Sequence, residues 1–168
     1  MEYPLAYLIT FTTYGTWLHG DKRGSVDKTH NQYGGDFVSP NSALNKKEQT
    51  ALKNSPFKLD KNNRKIVLNA ILQASSFRCW DAYAIHVRSN HVHIVVSGDA
   101  KPERIMGDFK AYATKAIKKN SPNPSVNKKY WSKHGSTKYL WAQESVASAI
   151  EYVKSRQGKA MSLWVALD

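Results

Sequence analysis

The sequence predicts an α+β domain of the ferredoxin-like (RRM-like) class: an antiparallel sheet with helices on one face, and an additional C-terminal helix. The 168 residues suffice for one domain with a real core. Hydrophobic residues make up 41% of the chain, which excludes a disordered protein. Segments of strand and helix character follow in the order strand, helix, strand, strand, helix, strand, helix. The first six match the split βαβ pattern.

The first strand is predicted at residues 5–13, "LAYLITFTT", which are rich in aromatic and β-branched side chains. The whole chain, residues 1–168, is predicted to be a single domain. It contains a loop-rich insertion at about residues 19–60, where Gly, Asp, Asn and Ser are frequent. Within this insertion we expect a short helix at residues 46–53.

An amphipathic helix is predicted at residues 61–78, directly after Asp60, whose side chain suits a helix N-cap. Its apolar positions recur at helical spacing. They are Ile66, Val67, Ala70, Ile71, Ala74 and Phe77. Two strands then follow, joined by a tight turn at residues 88–90, and this pair predicts a β-hairpin.

The second half of the chain predicts two further helices and a strand. Pro102 suits the first turn of a helix that ends at the breaker segment "NSPNPSVN". The predicted buried stripe of this helix is Ile105, Met106, Phe109, Ala113, Ala116 and Ile117. We expect a fourth strand at residues 136–142 and a last helix at residues 143–157, which Gly158 terminates. The tail "MSLWVALD" is expected to add a short strand or to pack against the sheet.

The second strand of the hairpin carries two histidines one residue apart, in "RSNHVHIVV". Side chains along a strand alternate between faces, so His91 and His93 share one face while Val92 and Ile94 share the other. Because the apolar residues point at the helices, we expect the histidine face to be open to solvent. Two imidazoles side by side form half of a metal site, and they are equally compatible with two ordinary surface residues.

The charge of the chain favours a polyanionic partner. Lys and Arg number 25 against 13 acidic residues, a net charge of +12, and nucleic acid is the usual partner of such a protein. In "NKKYWSKHGSTKYLW" the lysines could meet phosphates while the rings stack on unpaired bases. Some of these rings must belong to the core. The residues singled out for nucleic-acid contacts are Lys110, Lys133, Lys138 and Trp131, with Tyr130, Tyr139 and Trp141 as further rings of that segment.

The sequence lacks the residues that several other functional classes require. A single cysteine, Cys79, excludes a disulfide framework and a cysteine-based zinc site, and its apolar neighbours predict a buried thiol. No glycine-rich phosphate loop or serine nucleophile motif is present, and Asp99 is the one carboxylate near the histidines in sequence. The opening residues lack the basic start of a signal peptide, and their apolar run is too short to span a bilayer. We therefore expect a cytoplasmic protein with no membrane partner.

One tyrosine lies off the apolar stripe of the last helix. At about 100° per residue, Tyr152 falls about 110° from the centre of the apolar cluster. It is either a rim residue of an amphipathic helix or a nucleophile beside a bis-histidine metal site. Tyr112 and Tyr139 are rival nucleophiles whose positions better suit packing or stacking. His86 is interpreted as a partly buried histidine rather than a ligand, and Asn90 as a turn residue.

Together these residues resemble a known family, the single-tyrosine HUH transposases, which include the REP-associated tyrosine transposases and their insertion-sequence relatives. The motif is "NHVHIVV", a His-hydrophobe-His sequence entering a strand, followed by one tyrosine on a late helix in "YVKSRQG". The resemblance extends over most of the chain and is weakest at residues 26–58.

The resemblance implies metal-dependent cleavage of single-stranded DNA and strand transfer through a 5′-phosphotyrosine. It implies that His91 and His93 hold a divalent ion, Mg²⁺ or Mn²⁺, and that the phenol of Tyr152 attacks the scissile phosphate. The family takes a third metal ligand, Gln or Asn, four residues after the tyrosine. Here that position is Arg156, nearly aligned with Tyr152 and suited to a phosphate contact. Gln157 follows, and on a regular helix it would point about 140° away from Tyr152, unless the helix end loosens.

The resemblance also implies a hairpin-forming DNA partner, a monomer or homodimer, and, in a bacterium, association with the nucleoid. Two other interpretations stay open. The first is a non-catalytic RRM-like module that binds single-stranded or hairpin nucleic acid by stacking and phosphate contacts. The second is a replication-initiation or relaxase relative with the same site.

Overall fold

A five-stranded antiparallel sheet forms the centre of the protein. The computed structural model describes residues 3–16, 42–50 and 55–167. Its elements, in chain order, are β1 (Ala6–Thr12), α1 (Ser42–Thr50), α2 (Lys61–Arg78), β2 (Asp81–Val87), β3 (His91–Ser97), α3 (Pro102–Asn120), β4 (Ser136–Leu140), α4 (Gln143–Ser155) and β5 (Ser162–Val165). Most of the predicted insertion lies outside the described residues; α1 is its one described element.

The strand order is β4-β1-β3-β2-β5, and every pairing is antiparallel. The first four strands have the order of a ferredoxin-like sheet, so the predicted fold class is confirmed. The fifth strand comes from the tail and pairs with β2, placing Leu163 beside His86 and Trp164 beside Ile85. Among the described helices, none is long and apolar enough to cross a lipid bilayer.

Helix α2 has the bounds that its periodicity predicts. The Asp60 side chain accepts a hydrogen bond from the Asn63 amide at 2.7 Å, which confirms the N-cap. At the C-terminal end of α2, the structure differs from two predictions. Cys79 adopts a left-handed backbone (φ 57°) as the residue that closes the helix, and its thiol is exposed rather than buried. Phe77, predicted to be part of the apolar stripe, is 71% exposed because the last turn of α2 extends beyond the core.

The larger core lies between one face of the sheet and helices α2 and α3. The alternation of the strands places the apolar side chains there as predicted. This core includes Ile9, Phe11, Ile85, Val92 and Ile94 from the strands and Val67, Ile71, Ile105, Phe109 and Ala113 from the two helices.

The opposite face, which carries the histidines, is covered by α4. Leu8, Ala84 and Val95 form an apolar patch on this face, and Ala149 and Val153 of α4 pack against it. The expectation of an open histidine face was therefore wrong. Period-two alternation assigns a residue to a face, whereas covering that face depends on where a distant helix packs. The sheet carries helices on both sides, with α4 as the additional C-terminal helix.

Candidate active site

The histidine pair lies at the middle of the sheet, on β3. The β1–β3 register sets Thr10 opposite His93 and Thr12 opposite His91, and the β2–β3 register sets His86 opposite His93. His91 is 7% exposed and His93 is 5% exposed. Their side chains share one face, as alternation predicts, but this face is an enclosed region beneath α4 instead of a solvated surface.

Each imidazole has an oxygen at its Nδ1. His91 Nδ1 lies 2.6 Å from Asn90 Oδ1, and His93 Nδ1 lies 2.7 Å from Thr10 Oγ1. An amide oxygen only accepts, so Asn90 holds the proton of His91 on Nδ1 and makes Nε2 the lone-pair nitrogen of that ring. The two ring centroids are 4.7 Å apart. Such oxygen partners at one nitrogen are the usual way in which metal-ligating histidines are oriented.

Tyr152 of α4 meets this pair directly. Its ring lies edge-on to the ring of His93, with the centroids 5.5 Å apart and the planes at 75°. The neighbouring Ala149 and Val153 are buried against the sheet, so the helix face beside them brings the half-buried tyrosine over the histidines. Tyr152 therefore lies at the edge of the helix face that packs on the sheet, and this edge is next to the two imidazoles.

Gln157 also reaches the histidines, because α4 ends two residues earlier than predicted. The helix stops at Ser155, and Arg156 leaves helical geometry at φ −103° and ψ 18°. Gln157 Nε2 approaches the Tyr152 carbonyl at 3.5 Å, and the Gln157 side chain hydrogen-bonds His93. The mismatch of about 140° expected for a regular helix is thus absent, since Gln157 is not on the helix.

The enclosed position controls the protonation of His93. Burial lowers the pKa of His93 well below its ordinary range, and the nearby His91 lowers it further, while the hydrogen bond that the ring donates to Gln157 opposes the shift. At neutral pH the ring is therefore neutral, which is the form of imidazole that binds metal ions.

His86 lies beside His93 in the same row across the sheet but serves a different purpose. Its Nδ1 lies 3.1 Å from the Val153 carbonyl, and its Nε2 accepts the Met161 amide at 3.0 Å. Both ring nitrogens are thus used to join β2 to the end of α4 and to the chain leading into β5. Burial lowers the pKa of His86, in keeping with a neutral ring. The interpretation as a structural histidine is supported, although the ring is fully rather than partly buried.

The residues predicted to contact nucleic acid are spread over several places. Arg156 is exposed at the end of α4, and Lys133 is exposed in the segment before β4. Lys138 is buried on the histidine face of β4, where burial lowers its pKa. Lys110 lies on α3, on the other side of the sheet, and its Nζ donates to the Ser132 and His134 carbonyls at 2.9 and 3.0 Å. The structure therefore does not bring Lys110 to the histidines.

The four rings of residues 127–141 divide into packed and exposed pairs. Trp131 donates from Nε1 to Thr114 Oγ1 at 2.9 Å and meets Phe11 edge-on, so it packs against the core and does not reach the histidines. Tyr130 is buried. Tyr139 and Trp141 are 42% and 54% exposed, and they stack on each other with centroids 6.1 Å apart and planes at 13°.

The rival tyrosines lie elsewhere. Tyr112 packs on the α2–α3 side of the sheet beside Phe77, and Tyr139 meets Tyr7 on that same side. Two further residues beside the histidines, Thr10 and Arg88, are not predicted by any pattern in the sequence. Thr10 reaches His93 only through the β1–β3 register, which no local pattern reveals. Arg88 Nη1 donates to the Lys159 carbonyl at 2.9 Å and ties the hairpin turn to the segment after Gln157.

The donors available for a metal ion are two imidazoles and an amide. Within residues 3–16, 42–50 and 55–167, no three His, Cys, Asp or Glu side chains converge as a metal site. Asp99, the carboxylate closest in sequence, accepts from Trp80 Nε1 at 3.3 Å. His91 and His93 are the candidate ligands that the described part of the site offers, and Gln157 is hydrogen-bonded to His93.

Comparisons with known proteins place this chain in a family. The chain matches the family described as "Transposase IS200 like" over residues 51–157. No curated protein sequence matches it significantly. Among solved structures, it is similar to a REP-associated tyrosine transposase bound to a REP hairpin, at 12% identity and a TM-score of 0.48. That match covers 91% of this chain and 66% of the other. Because the family match spans well over half of the sequence and includes both histidines, Tyr152 and Gln157, the chain belongs to the IS200-like transposase family.

Proposed function

We propose that this protein cleaves and rejoins single-stranded DNA in a divalent-metal-dependent transposition reaction, with Tyr152 as the nucleophile. The observation that carries the proposal is the edge-on contact of Tyr152 with His93, 5.5 Å between centroids, in a chain of the IS200-like transposase family. One chain contributes both histidines, the tyrosine and the glutamine, so a monomer would hold a complete site and a homodimer two.

The metal would be held by His91, His93 and Gln157. The donor chemistry fits: Asn90 and Thr10 orient the two rings, and the pKa of His93 keeps that ring neutral. A bound Mg²⁺ or Mn²⁺ would polarise the scissile phosphate and offset the negative charge that develops on its oxygens. One of these ligands, His93, lies against the Tyr152 ring, so the phosphate and the phenol would meet at one place.

The chemical step is a transesterification at phosphorus. The Tyr152 Oη forms a bond to the phosphorus of a phosphodiester while the bond from phosphorus to the 3′-oxygen breaks. The phenol loses a proton to solvent and the leaving 3′-oxygen gains one, which yields a 5′-phosphotyrosine and a free 3′-OH. Attack by a 3′-OH reverses the step and joins strands without a further energy source, because the phosphodiester bond is exchanged rather than hydrolysed.

The fold contributes the positioning of the nucleophile. Ala149 and Val153 fix α4 on the sheet, and His86 holds the Val153 carbonyl one residue beyond Tyr152. A phenol held in this way loses little orientational freedom on reaching the transition state, which is the usual benefit of preorganisation. The enclosed site also keeps the charged centre of the reaction in a low-dielectric environment, where electrostatic stabilisation is larger.

Single-stranded DNA, including strands that fold into hairpins, is the proposed partner. The net charge of +12 favours a polyanion, and Arg156 and Lys133 present exposed cationic side chains. Arg156 follows α4 directly and lies four residues from Tyr152, so we assign it a backbone phosphate close to the scissile one. Lys138 lies on the histidine face of β4 and would add to the positive potential of that face.

The test is covalent capture on a denaturing gel. A labelled single-stranded oligonucleotide that contains the target of the protein is incubated with Mn²⁺ and with wild type or Tyr152→Phe. We expect an adduct of protein and DNA for wild type alone, and equal DNA binding by both in a non-denaturing assay. An adduct of equal yield in Tyr152→Phe would assign the nucleophile to another residue.

The alternative of a non-catalytic RRM-like module is less well supported by this structure. Such modules bind bases on an open face of the sheet. Here α2 and α3 cover one face and α4 covers part of the other, over the residues where RRM-type stacking would occur. The exposed Tyr139–Trp141 pair is the feature that favours base stacking, and it lies on the edge strand rather than at the middle of the sheet.

A further inference from the structure

Two arginines lie at the hairpin turn that leads to His91, and neither has an acidic partner among the described residues: Arg88 belongs to the turn, and Arg64 binds the carbonyl of Leu59, which is hydrogen-bonded to it. The charge of Arg64 also lowers the pKa of Arg88, after the larger effect of burial. Arg64 lies in the first turn of α2, and Arg88 lies in the hairpin turn that precedes His91. Like charges brought together in this way are unfavourable for the protein alone.

The backbone shows how the pair is assembled. Arg64 Nη1 donates to the Leu59 carbonyl at 3.0 Å, and the Leu59 amide donates to the Ser89 carbonyl at 2.7 Å. Arg88 donates from its amide to the His91 carbonyl at 2.9 Å. The segment before α2 is therefore hydrogen-bonded to the hairpin turn, and this connection places both arginines at the end of β3 where His91 lies.

The donors of this pair are only partly used. Arg88 Nη1 binds the Lys159 carbonyl, whereas the buried Nε of Arg64 has no hydrogen-bond partner among the described residues. Neither guanidinium forms an ion pair within the described part of the chain. The Asp60 carboxylate, one turn before Arg64, accepts the Asn63 amide as the helix cap. Two partly buried cations, one of them with an unused buried donor, form a favourable place for an anion.

We propose that Arg64 and Arg88 together bind one backbone phosphate of the DNA strand, flanking the phosphate that Tyr152 attacks. The proposal rests on the proposed function and adds a second anchoring point to it. Guanidinium groups pair with phosphate through two parallel hydrogen bonds, which fixes direction as well as position. A phosphate held beside His91 would set which phosphodiester of the strand reaches Tyr152. The two arginines are thus positioning residues for the cleavage site.

The experiment combines protein variants with single neutral phosphates in the DNA. Affinities are measured by fluorescence anisotropy for wild type, Arg64→Gln, Arg88→Gln and the double variant. The oligonucleotides carry one methylphosphonate at successive positions. Arg104→Gln is the matched control, since this exposed arginine of α3 lies at the other end of β3 from the hairpin turn. Melting curves confirm that each variant is folded, and Arg64→Gln leaves intact the Arg88 contact to Lys159.

We expect one methylphosphonate position to weaken wild-type binding about tenfold and to have no effect on the double variant. Because both arginines share that phosphate, the double variant should lower the salt slope of log Kd by about 0.7, the value for the loss of one phosphate contact. In the arginine variants the main cleavage position along the oligonucleotide should also shift, or cleavage should be spread over several neighbouring positions.

Two outcomes overturn the proposal. One is that neutral phosphates affect wild type and the double variant equally at every position. The other is that the double variant lowers the salt slope no more than Arg104→Gln does. A wild-type protein that forms no adduct would instead contradict the proposed function. Retained adduct formation together with unchanged phosphate dependence in the double variant would remove only the arginine site.

Discussion

The ring of Tyr152 lies edge-on to the ring of His93, with 5.5 Å between their centroids, although the two residues are far apart in the sequence. Gln157 hydrogen-bonds the same imidazole, and Thr10 contacts its Nδ1. His93 is therefore the point at which α4, β1 and the segment after α4 all meet β3. We therefore expect substitutions at the residues that contact His93 to affect the site by changing the position of its imidazole ring.

Replacing Gln157 by leucine should remove most of the metal response of the protein. If Gln157 is the third ligand, the variant loses an oxygen donor while its stability without metal stays close to that of wild type. Thermal melting with increasing Mn²⁺ measures this, because a ligand at 100 times its Kd stabilises by about 2.7 kcal/mol. Gln157→Glu is the control, since a carboxylate keeps an oxygen donor at that place. An equal Mn²⁺ shift in wild type and Gln157→Leu would exclude Gln157 as a ligand.

Replacing His91 and His93 together by alanine should destabilise the protein without metal by about 1–3 kcal/mol, because two buried rings are removed and half-buried polar partners such as Thr10 lose their hydrogen bonds. An open histidine face, as the sequence suggested, would give a change of at most about 0.5 kcal/mol. Both rings are less than a tenth exposed, so the larger value applies. Urea unfolding in the presence of a chelator measures the difference. A double variant as stable as wild type would show that this face opens to solvent.

The difference between the destabilisation expected for a buried histidine face and for an open one shows what local sequence patterns can predict. The bounds of α2 and the position of the hairpin turn follow from caps, periodicity and turn residues, which are local signals. The pairing of His91 with His93 on one face follows from alternation. The burial of that face does not, because it depends on α4 packing across β2 and β3, far away in sequence. The orientation of the Gln157 side chain could not be predicted for a similar reason. It depends on whether α4 ends at residue 155 or 157, and sequence patterns do not define helix ends to within two residues.

Substituting His86 by leucine should separate a structural histidine from the proposed metal ligands. The variant leaves the buried Val153 carbonyl and the partly buried Met161 amide without their partner, at a cost of about 2 kcal/mol. We expect a lower melting temperature, an unchanged affinity for Mn²⁺, and a reduced adduct yield as the end of α4 loosens. His86→Gln should recover part of the stability, since an amide can donate and accept. A large loss of Mn²⁺ affinity in a folded His86→Leu protein would instead assign His86 to the metal site.

Lys110 should make stability rise with pH in the alkaline range. Burial lowers the pKa of its ammonium group to about 8, from an ordinary value of 10.5. Between these two pH values the unfolded chain binds more protons at this residue than the folded protein does, so raising the pH favours folding. The measurement is urea unfolding at several pH values from about 7.5 to 10.5 for wild type and Lys110→Met. The free energy of unfolding of wild type, relative to that of Lys110→Met, should increase as the pH rises.

Lys119→Met, which removes an exposed lysine of the same helix, is the control for Lys110 and should run parallel to wild type. Tyrosines that titrate in this range are common to all three proteins, so their effect cancels in the differences. If Lys110→Met also ran parallel to wild type, the two carbonyl contacts of its Nζ would outweigh burial in setting the charge.

The exposed stack of Tyr139 and Trp141 should contribute to DNA affinity without contributing to its salt dependence. A base that stacks on an exposed ring adds about 1–3 kcal/mol and involves no counterion. Trp141→Ala should therefore weaken binding of single-stranded DNA roughly tenfold, while the slope of log Kd against log salt stays that of wild type. Phe77→Ala, which removes another exposed ring at the end of α2, is the matched control and should leave affinity unchanged. Equal affinities for Trp141→Ala and Phe77→Ala would mean that DNA does not reach the β4 edge. The lysines and arginines would then carry the binding alone.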